Sequence, residues 1–315
     1  MRCLIVVKNR KELQEYEKSL KTKIEEICSV DVSDVPEMYA EQVLYRNTDY
    51  KAIILFLGDG TVLKTLSICT AIKNYFETAE YICMDRRVPM VKGEIQRNSV
   101  VSKDRHYTPM IFSFDHGTRG RLCNIKEKMT KEGENTLQNL ITAICMGDFE
   151  EIDRLYRDCT IKRRRLLLNQ SVYALNEIYI YQREKGLLGA LSISIDSQLT
   201  HQAVRCDGVI ISTPTGSSGY NASANGPILH GGVEGIVITF VCPADKKTPS
   251  FVVSSDCTIT VKSPCGIVPL NGVVDGCLHI KDSEFIINMK KSGDVYFADV
   301  SYNKMHSDFM EAIKE

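Results

Sequence analysis

Near Thr160 the apolar rhythm of the chain changes, and this change limits the possible fold more than any other feature. Before it, short apolar runs alternate with helical periods. Cys3–Val7 reads as a buried strand. Lys11–Cys28 reads as an amphipathic helix with Leu13, Tyr16, Leu20, Ile24 and Ile27 on one face. Ala52–Leu57 is a second apolar strand that runs straight into Gly58-Asp59-Gly60-Thr61. A helical period with Val62, Leu66, Cys69 and Ile72 inward follows it. Met110–Phe114 is a third strand, ahead of Gly117-Thr118-Arg119-Gly120. Strands alternating with helices predict a parallel sheet covered by helices, with ligands at the carboxyl ends of its strands.

Beyond Thr160 the pattern is β-rich. Strands are expected over 161–168, 171–181, 189–195, 209–213, 235–241, 251–255, 258–262, 267–270 and 284–289, with turn residues between them. Only 219–224 and the tail 308–314 read as helical, besides a bridging helix over 134–146. The expectation is an α/β N-terminal lobe with a parallel sheet (1–125) and a mostly-β C-terminal lobe (126–303).

Composition narrows the function classes. With 315 residues, roughly 75% of the unfolded surface can be buried, so no disulfide staples are needed. Lys and Arg total 39 against 40 Asp and Glu. That balance lacks the broad positive field of a nucleic-acid binder. The 12 cysteines include no pair closer than Cys257 and Cys265, so zinc knuckles and Cys-x-x-Cys redox pairs are excluded. They are expected to be reduced thiols in a cytoplasmic protein. No apolar run approaches a membrane span, and the apolar run after Met1 is too short for a signal-peptide core. Neither nucleic acid nor membrane is an expected partner.

Three segments could carry chemistry. Gly58-Asp59-Gly60-Thr61 joins a strand to a helix, where glycine N–H groups and the helix dipole make an anion site. Asp59 would repel a bare phosphate, so its place fits a metal ligand or a general base for a hydroxyl attacking phosphorus. A tight turn with a helix cap explains the same residues. Arg205–Pro227 breaks from a strand into a loop of glycine and hydroxyl residues, then a short helix. It offers donors, close backbone approach and Tyr220 for stacking. Asn176-Glu177 is a polar pair inside the apolar run Ala174–Tyr181, with either a ligand hydroxyl or an internal hydrogen bond as its partner. The run Lys162-Arg163-Arg164-Arg165 reads as a solvated face or as ion pairs at the lobe boundary, with phosphate contact as the alternative. A phosphate-binding P-loop, a dinucleotide glycine fingerprint and a serine-hydrolase elbow are all missing, and no histidines cluster as metal ligands.

Taken in order, these segments resemble the NAD kinase family. Its first motif, Gly-Gly-Asp-Gly-Thr, is similar to Leu57-Gly58-Asp59-Gly60-Thr61. Its Asn-Glu pair corresponds to Asn176-Glu177, its long Asp-Gly to Pro-Ile-Leu motif to Asp207–Leu229, and its late Asp-Gly to Asp275-Gly276. The resemblance implies transfer of the ATP γ-phosphoryl group to the adenosine-ribose 2′-hydroxyl of NAD, with Mg²⁺ accompanying ATP. Carried over, Asp59 would be the catalytic base, and Gly58, Gly60 and Thr61 would hold phosphates. Asn176 and Glu177 would fix adenosine, and Arg205 and Asp207 would address the nicotinamide end. Thr215, Ser218, Gly219, Tyr220, Ser223 and Asp275 complete the implied dinucleotide site, with no resident metal. A homo-oligomer (dimer or tetramer) is implied too, as is a terminal helix (304–315) packing back on the first lobe. The chain departs from the pattern at Leu57, which replaces a glycine, and at Arg121, which stands where an aromatic would flank adenine. Two rival readings remain: a lipid or sugar kinase sharing the Gly-Asp-Gly turn, and a non-catalytic NAD(P)-binding regulator.

Overall fold

The computed structural model describes residues 2–7, 11, 13–26, 28–34, 37–38, 50–56, 59–69, 110–115, 122–123, 125–126, 139, 141–142, 160–170, 172–182, 189–266, 268–289 and 294–298. These divide into two compact units, the second of which contains Arg164–Asp294.

The first unit begins with β1 (Arg2–Val7), α1 (Glu15–Glu25), β2 (Ser29–Asp34), β3 (Tyr50–Leu55) and α2 (Asp59–Cys69). It continues through β4 (Met110–Asp115), β5 (Ile125–Lys126) and β6 (Thr160–Arg163). The second unit carries β7 (Leu166–Leu168), β8 (Val172–Ala174), β9 (Glu177–Gln182), β10 (Gly189–Ile195), β11 (Gln198–Cys206) and β12 (Gly208–Ser212). A 3-10 turn (Thr215–Ser218) and α3 (Tyr220–Ser223) follow. Then come β13 (Gly235–Val241), β14 (Phe251–Ser254), β15 (Ile259–Lys262), β16 (Leu270–Val274), β17 (Leu278–Asp282) and β18 (Glu284–Asn288). The last described strand, β19 (Val295–Ala298), belongs to the first unit.

In the first unit the strand order is β2-β1-β3-β4-β19-β6, with β5 also pairing β4. Every pairing is parallel except that of β19 with β6. Central strands of such a sheet are buried on both faces, which explains the unbroken apolar runs of β1, β3 and β4. Leu20 and Ile24 of α1 pack into the same core, where Phe56 stacks on Phe114 at 4.7 Å and Tyr16 meets both edge-on. The second unit is two antiparallel six-stranded sheets, β11-β10-β15-β18-β7-β8 and β14-β13-β12-β9-β16-β17. Their inward side chains share one aliphatic core that includes Leu168, Ile180, Leu191, Ile211, Ile238 and Ile287.

Both halves of the fold expectation hold: a parallel sheet with helices, then mostly β. Several details differ. The stretch 161–168 is two strands, β6 in one unit and β7 in the other. Within Lys162–Arg165, Arg163 at the end of β6 and Arg165 just before β7 are both buried, so half of the run is not a solvated face. The expected strand over 171–181 is also two. Glu177 opens β9, and Asn176 lies in a bend before it rather than inside a strand. β2, β5, β11, β17 and β19 were not foreseen, and β16 overlaps the strand expected over 267–270 only at Leu270. Leu57, Gly58, the 117–121 loop with Arg119 and Arg121, and the terminal helix 304–315 lie outside the described residues. So does the side chain of Thr61. Of the bridging helix only Asn139, Ile141 and Thr142 are described, as helical. No described helix is long and apolar enough to cross a membrane. None of the eight cysteines whose side chains are described is in a disulfide.

Candidate functional site

Asp59 is the first residue of α2, where the positive end of the helix dipole favours an anion. Its Oδ1 accepts the Leu122 backbone N–H at 2.8 Å and the Cys123 thiol at 3.6 Å. Leu122 is itself anchored, because Ser113 of β4 donates its hydroxyl to the Leu122 carbonyl. The carboxylate is thus oriented by the chain that follows β4. Gly60 is the next residue of α2, and nothing lies within 4 Å of where its Cβ would be.

The other candidate residues lie in the second unit, and Asn176–Glu177 is their centre. Thr213 donates its N–H to the Asn176 carbonyl (2.9 Å) and its hydroxyl to the Leu175 carbonyl (2.7 Å). The same hydroxyl accepts the Gly216 N–H at 3.0 Å, which locks the start of the 3-10 turn against the bend. Gly216 has no room for a side chain: a Cβ there would sit 2.1 Å from the Asn176 carbonyl oxygen. Gly219 lies beside the same pair, with its Cβ position 3.6 Å from Glu177 Oε2.

From the opposite direction Asp275 grips the same bend. Its Oδ2 accepts the Leu175 N–H at 2.7 Å, and its Oδ1 accepts the N–H groups of Asn176 (2.7 Å) and Glu177 (3.1 Å). Asp275 returns its own N–H to the Glu177 carbonyl at 3.0 Å. These bonds explain why the strand breaks at 175–176: its N–H groups are spent on a carboxylate instead of a neighbouring strand. Asp275 and Gly276 both have positive φ (49° and 64°) at the head of the three-residue turn, Asp275 to Cys277, that joins β16 to β17.

Burial dominates the electrostatics. Glu177 is almost fully buried, and its Oε2 meets no hydrogen-bond partner among the described residues. Burial, then the nearby Asp275 charge, pushes its carboxyl up to about 8, so at neutral pH it is an acid able to donate a hydrogen bond. Burial raises Asp275 to about 6, opposed by its three N–H donors and by Arg165. Arg165, lowered to about 10 by burial, lies over the Tyr173 ring at 4.2 Å.

Tyr220, at the start of α3, is 41% exposed. Its ring meets Tyr179 edge-to-face at 5.4 Å, and Tyr179 stacks on Tyr181 at 5.1 Å. The Tyr179 hydroxyl donates to the Asp207 carbonyl at 3.2 Å, which ties Asp207 to this aromatic group. Asp207 also holds the Cys242 thiol above its ordinary range through a hydrogen bond. The structure therefore gathers Asn176, Glu177, Gly219, Tyr220 and Asp275, with Asp207 at the aromatic side. Thr215 and Ser218 lie on the adjoining turn, and Ser223 is exposed on α3. Arg205 is exposed on β11, and its carbonyl accepts the Ala244 N–H.

Four residues important to this geometry escaped sequence reasoning. Ser217 accepts the Leu229 N–H at 2.6 Å, and Asn221 ties the loop to Ser217, Pro227 and Thr239. Thr213 pins the bend. Arg165, between β6 and β7, backs Asp275.

The matched region overlaps this constellation. A family profile for the ATP-NAD kinase C-terminal domain matches residues 175–295. An NAD kinase from Methanosphaera stadtmanae is 30% identical over 219 residues, covering 66% of this chain and 73% of that protein. An NAD kinase from Lachnoclostridium phytofermentans is 33% identical over 153 residues, covering 48% of this chain and 51% of that protein. The chain spans about half the length of several curated relatives it matches. Among solved structures, an NAD kinase from Archaeoglobus fulgidus in complex with ATP superimposes with a TM-score of 0.66 over 100% of both chains. At 19% identity that likeness concerns the fold alone.

Proposed function

The chain belongs to the NAD kinase family, and on that premise we propose that it phosphorylates the adenosine-ribose 2′-hydroxyl of NAD with ATP. In this reading Glu177, a neutral acid with one unpartnered oxygen, hydrogen-bonds the adenosine hydroxyls beside Asn176. The exposed Tyr220 offers its ring to a base, and the turn 215–219 presents backbone and hydroxyl groups. Asp59 accepts the 2′-hydroxyl proton as that oxygen bonds to the γ-phosphorus. The bond from the γ-phosphorus to the bridging oxygen breaks, and ADP leaves with its electron pair. The observation that carries the reading is the Asn176–Glu177 bend, held from both sides with a buried carboxyl oxygen left for a ligand.

Mg²⁺ would enter with ATP and neutralise charge on the phosphates. The described residues do not build a protein cage for it. One Asp59 oxygen is already engaged by Leu122 and Cys123, and no three His, Cys, Asp or Glu side chains converge among the described residues. The ion is therefore assigned to the phosphate oxygens of ATP. The reading also places the enzyme in the cytoplasm as a homo-oligomer, which light scattering tests.

The direct test incubates the chain with ATP, Mg²⁺ and NAD and couples NADP to a specific dehydrogenase, with NADH as a parallel acceptor. Asp59→Asn should lower kcat by about a hundredfold or more while NAD affinity holds, because the base acts only in the transition state. No NADP from the wild-type chain, beside an active control enzyme, refutes the proposal.

A further inference from the structure

The Asp275 carboxylate faces the peptide backbone of the pair that the proposed function uses. Three consecutive N–H groups, from Leu175 to Glu177, converge on its two oxygens within 2.7–3.1 Å, and its own N–H closes on the Glu177 carbonyl. We propose that Asp275 is a positioning residue: acting only through the backbone of 175–177, it aims the Asn176 and Glu177 side chains at the dinucleotide. This inference rests on the NAD kinase reading, and it assigns Asp275 a place behind the ligand-facing pair instead of on the ligand.

The surroundings suit the task. Both Asp275 and Glu177 are buried, and two adjacent buried carboxylates resist being charged together. Asp275 has the better claim to the negative charge, since the three N–H donors and the Arg165 guanidinium favour its ionised form. Glu177 has Asp275 on one side and Tyr220 on the other, with no cation among the causes of its shift, so it keeps its proton to higher pH. Behind the pair, Arg165 faces Tyr173, Asp275 and Asp294. Asp275 thereby sets both the direction of the Glu177 side chain and its role as a hydrogen-bond donor. The turn itself is not strained by an amide, because Asn tolerates positive φ as Asp does.

The test uses the whole chain. In the wild-type protein, the amide resonances of Leu175, Asn176 and Glu177 should titrate together with a midpoint near about 6 as Asp275 ionises. Asp275→Asn keeps the shape but turns one acceptor into a donor. It should raise the KM and calorimetric Kd for NAD about ten- to a hundredfold with a much smaller loss of kcat. The pH limb of NAD binding set by Glu177 should also move to lower pH, because a neighbouring charge that raises it is gone. Asp275→Asn protein that folds yet keeps the wild-type KM and pH limb overturns the inference, as do three amides that fail to titrate together. If the variant does not fold, the amide titration decides alone. That titration needs no turnover, so an inactive wild-type chain would sink the kinase reading without deciding this one.

Discussion

Gly216 and Glu177 show how little freedom single positions have at this site. A methyl group on Gly216 would land within 2.1 Å of the Asn176 carbonyl oxygen, and the nearby atoms are backbone that cannot swing aside. Gly216→Ala should therefore destabilise the protein by about 1–3 kcal/mol and weaken NAD binding, read by the denaturant midpoint and by calorimetry. Glu177 leaves a signature in pH. Its carboxyl lies above its ordinary 4.5, at about 8 when folded, so between those values the folded state holds a proton that the unfolded state has lost. Its stabilising contribution is complete below the unfolded value and disappears as pH rises through the folded one. Asp275 acts in the same direction between 3.8 and about 6. Stability should thus fall from pH 5 to pH 8, by at most about 1.4 kcal/mol per pH unit for one proton. Glu177→Gln should flatten much of that slope in chemical unfolding at several pH values. Parallel slopes in wild type and variant would contradict the assignment.

Among elements, the strap from β12 through the 3-10 turn and α3 is the most instructive. It has hardly any helix of its own, and α3 has only four residues. Its shape comes from side chains that bond to backbone. Asn221 donates to the Ser217 and Pro227 carbonyls at 2.9 and 3.0 Å and accepts the Thr239 hydroxyl at 2.7 Å. Gly226 must pass directly against that amide, since a Cβ there would be 2.1 Å from Asn221 Oδ1. Asn221→Ala leaves the Thr239 hydroxyl and two carbonyls buried without their partner. The expected loss is about 1–3 kcal/mol of stability, together with weaker protection of the 215–225 amides in hydrogen exchange. A variant with wild-type exchange across this strap would show that Asn221 does not hold it. Elsewhere sequence reasoning found both the strands buried on both faces, such as β12 and β13, and half-buried alternating ones, such as β14 and β15. β11 escaped it because it is an exposed edge strand, with Ala203 at positive φ and register shifts against β10. β2, with its alternating Ser, Val and Asp, follows directly on the helix expected to end at Cys28 and drew no strand expectation.

At the scale of the whole molecule, a ligand that binds only the folded chain must stabilise it. NAD at a hundred times its Kd should add about 2.7 kcal/mol, seen as a rise in Tm. Asp59→Asn should show the same rise while making NADP about a hundredfold or more slowly, which separates binding from transfer. A variant that loses both would instead give Asp59 a binding role. The order of residues alone determined the change from alternating strands and helices to continuous β structure, and with it the fold class. It also marked the Gly-Asp-Gly turn, the Asn-Glu pair and the hydroxyl-rich strap, because periodicity and turn chemistry are local properties. Tertiary structure decided what those segments meet. Asp275 reaches back about a hundred residues to the N–H groups of 175–177. β19 joins the first sheet beside β4, and Arg165 is buried where a solvated face or a lobe-boundary ion pair was expected. No local pattern encodes such partners, since burial and hydrogen bonding at one position depend on chain far away in sequence.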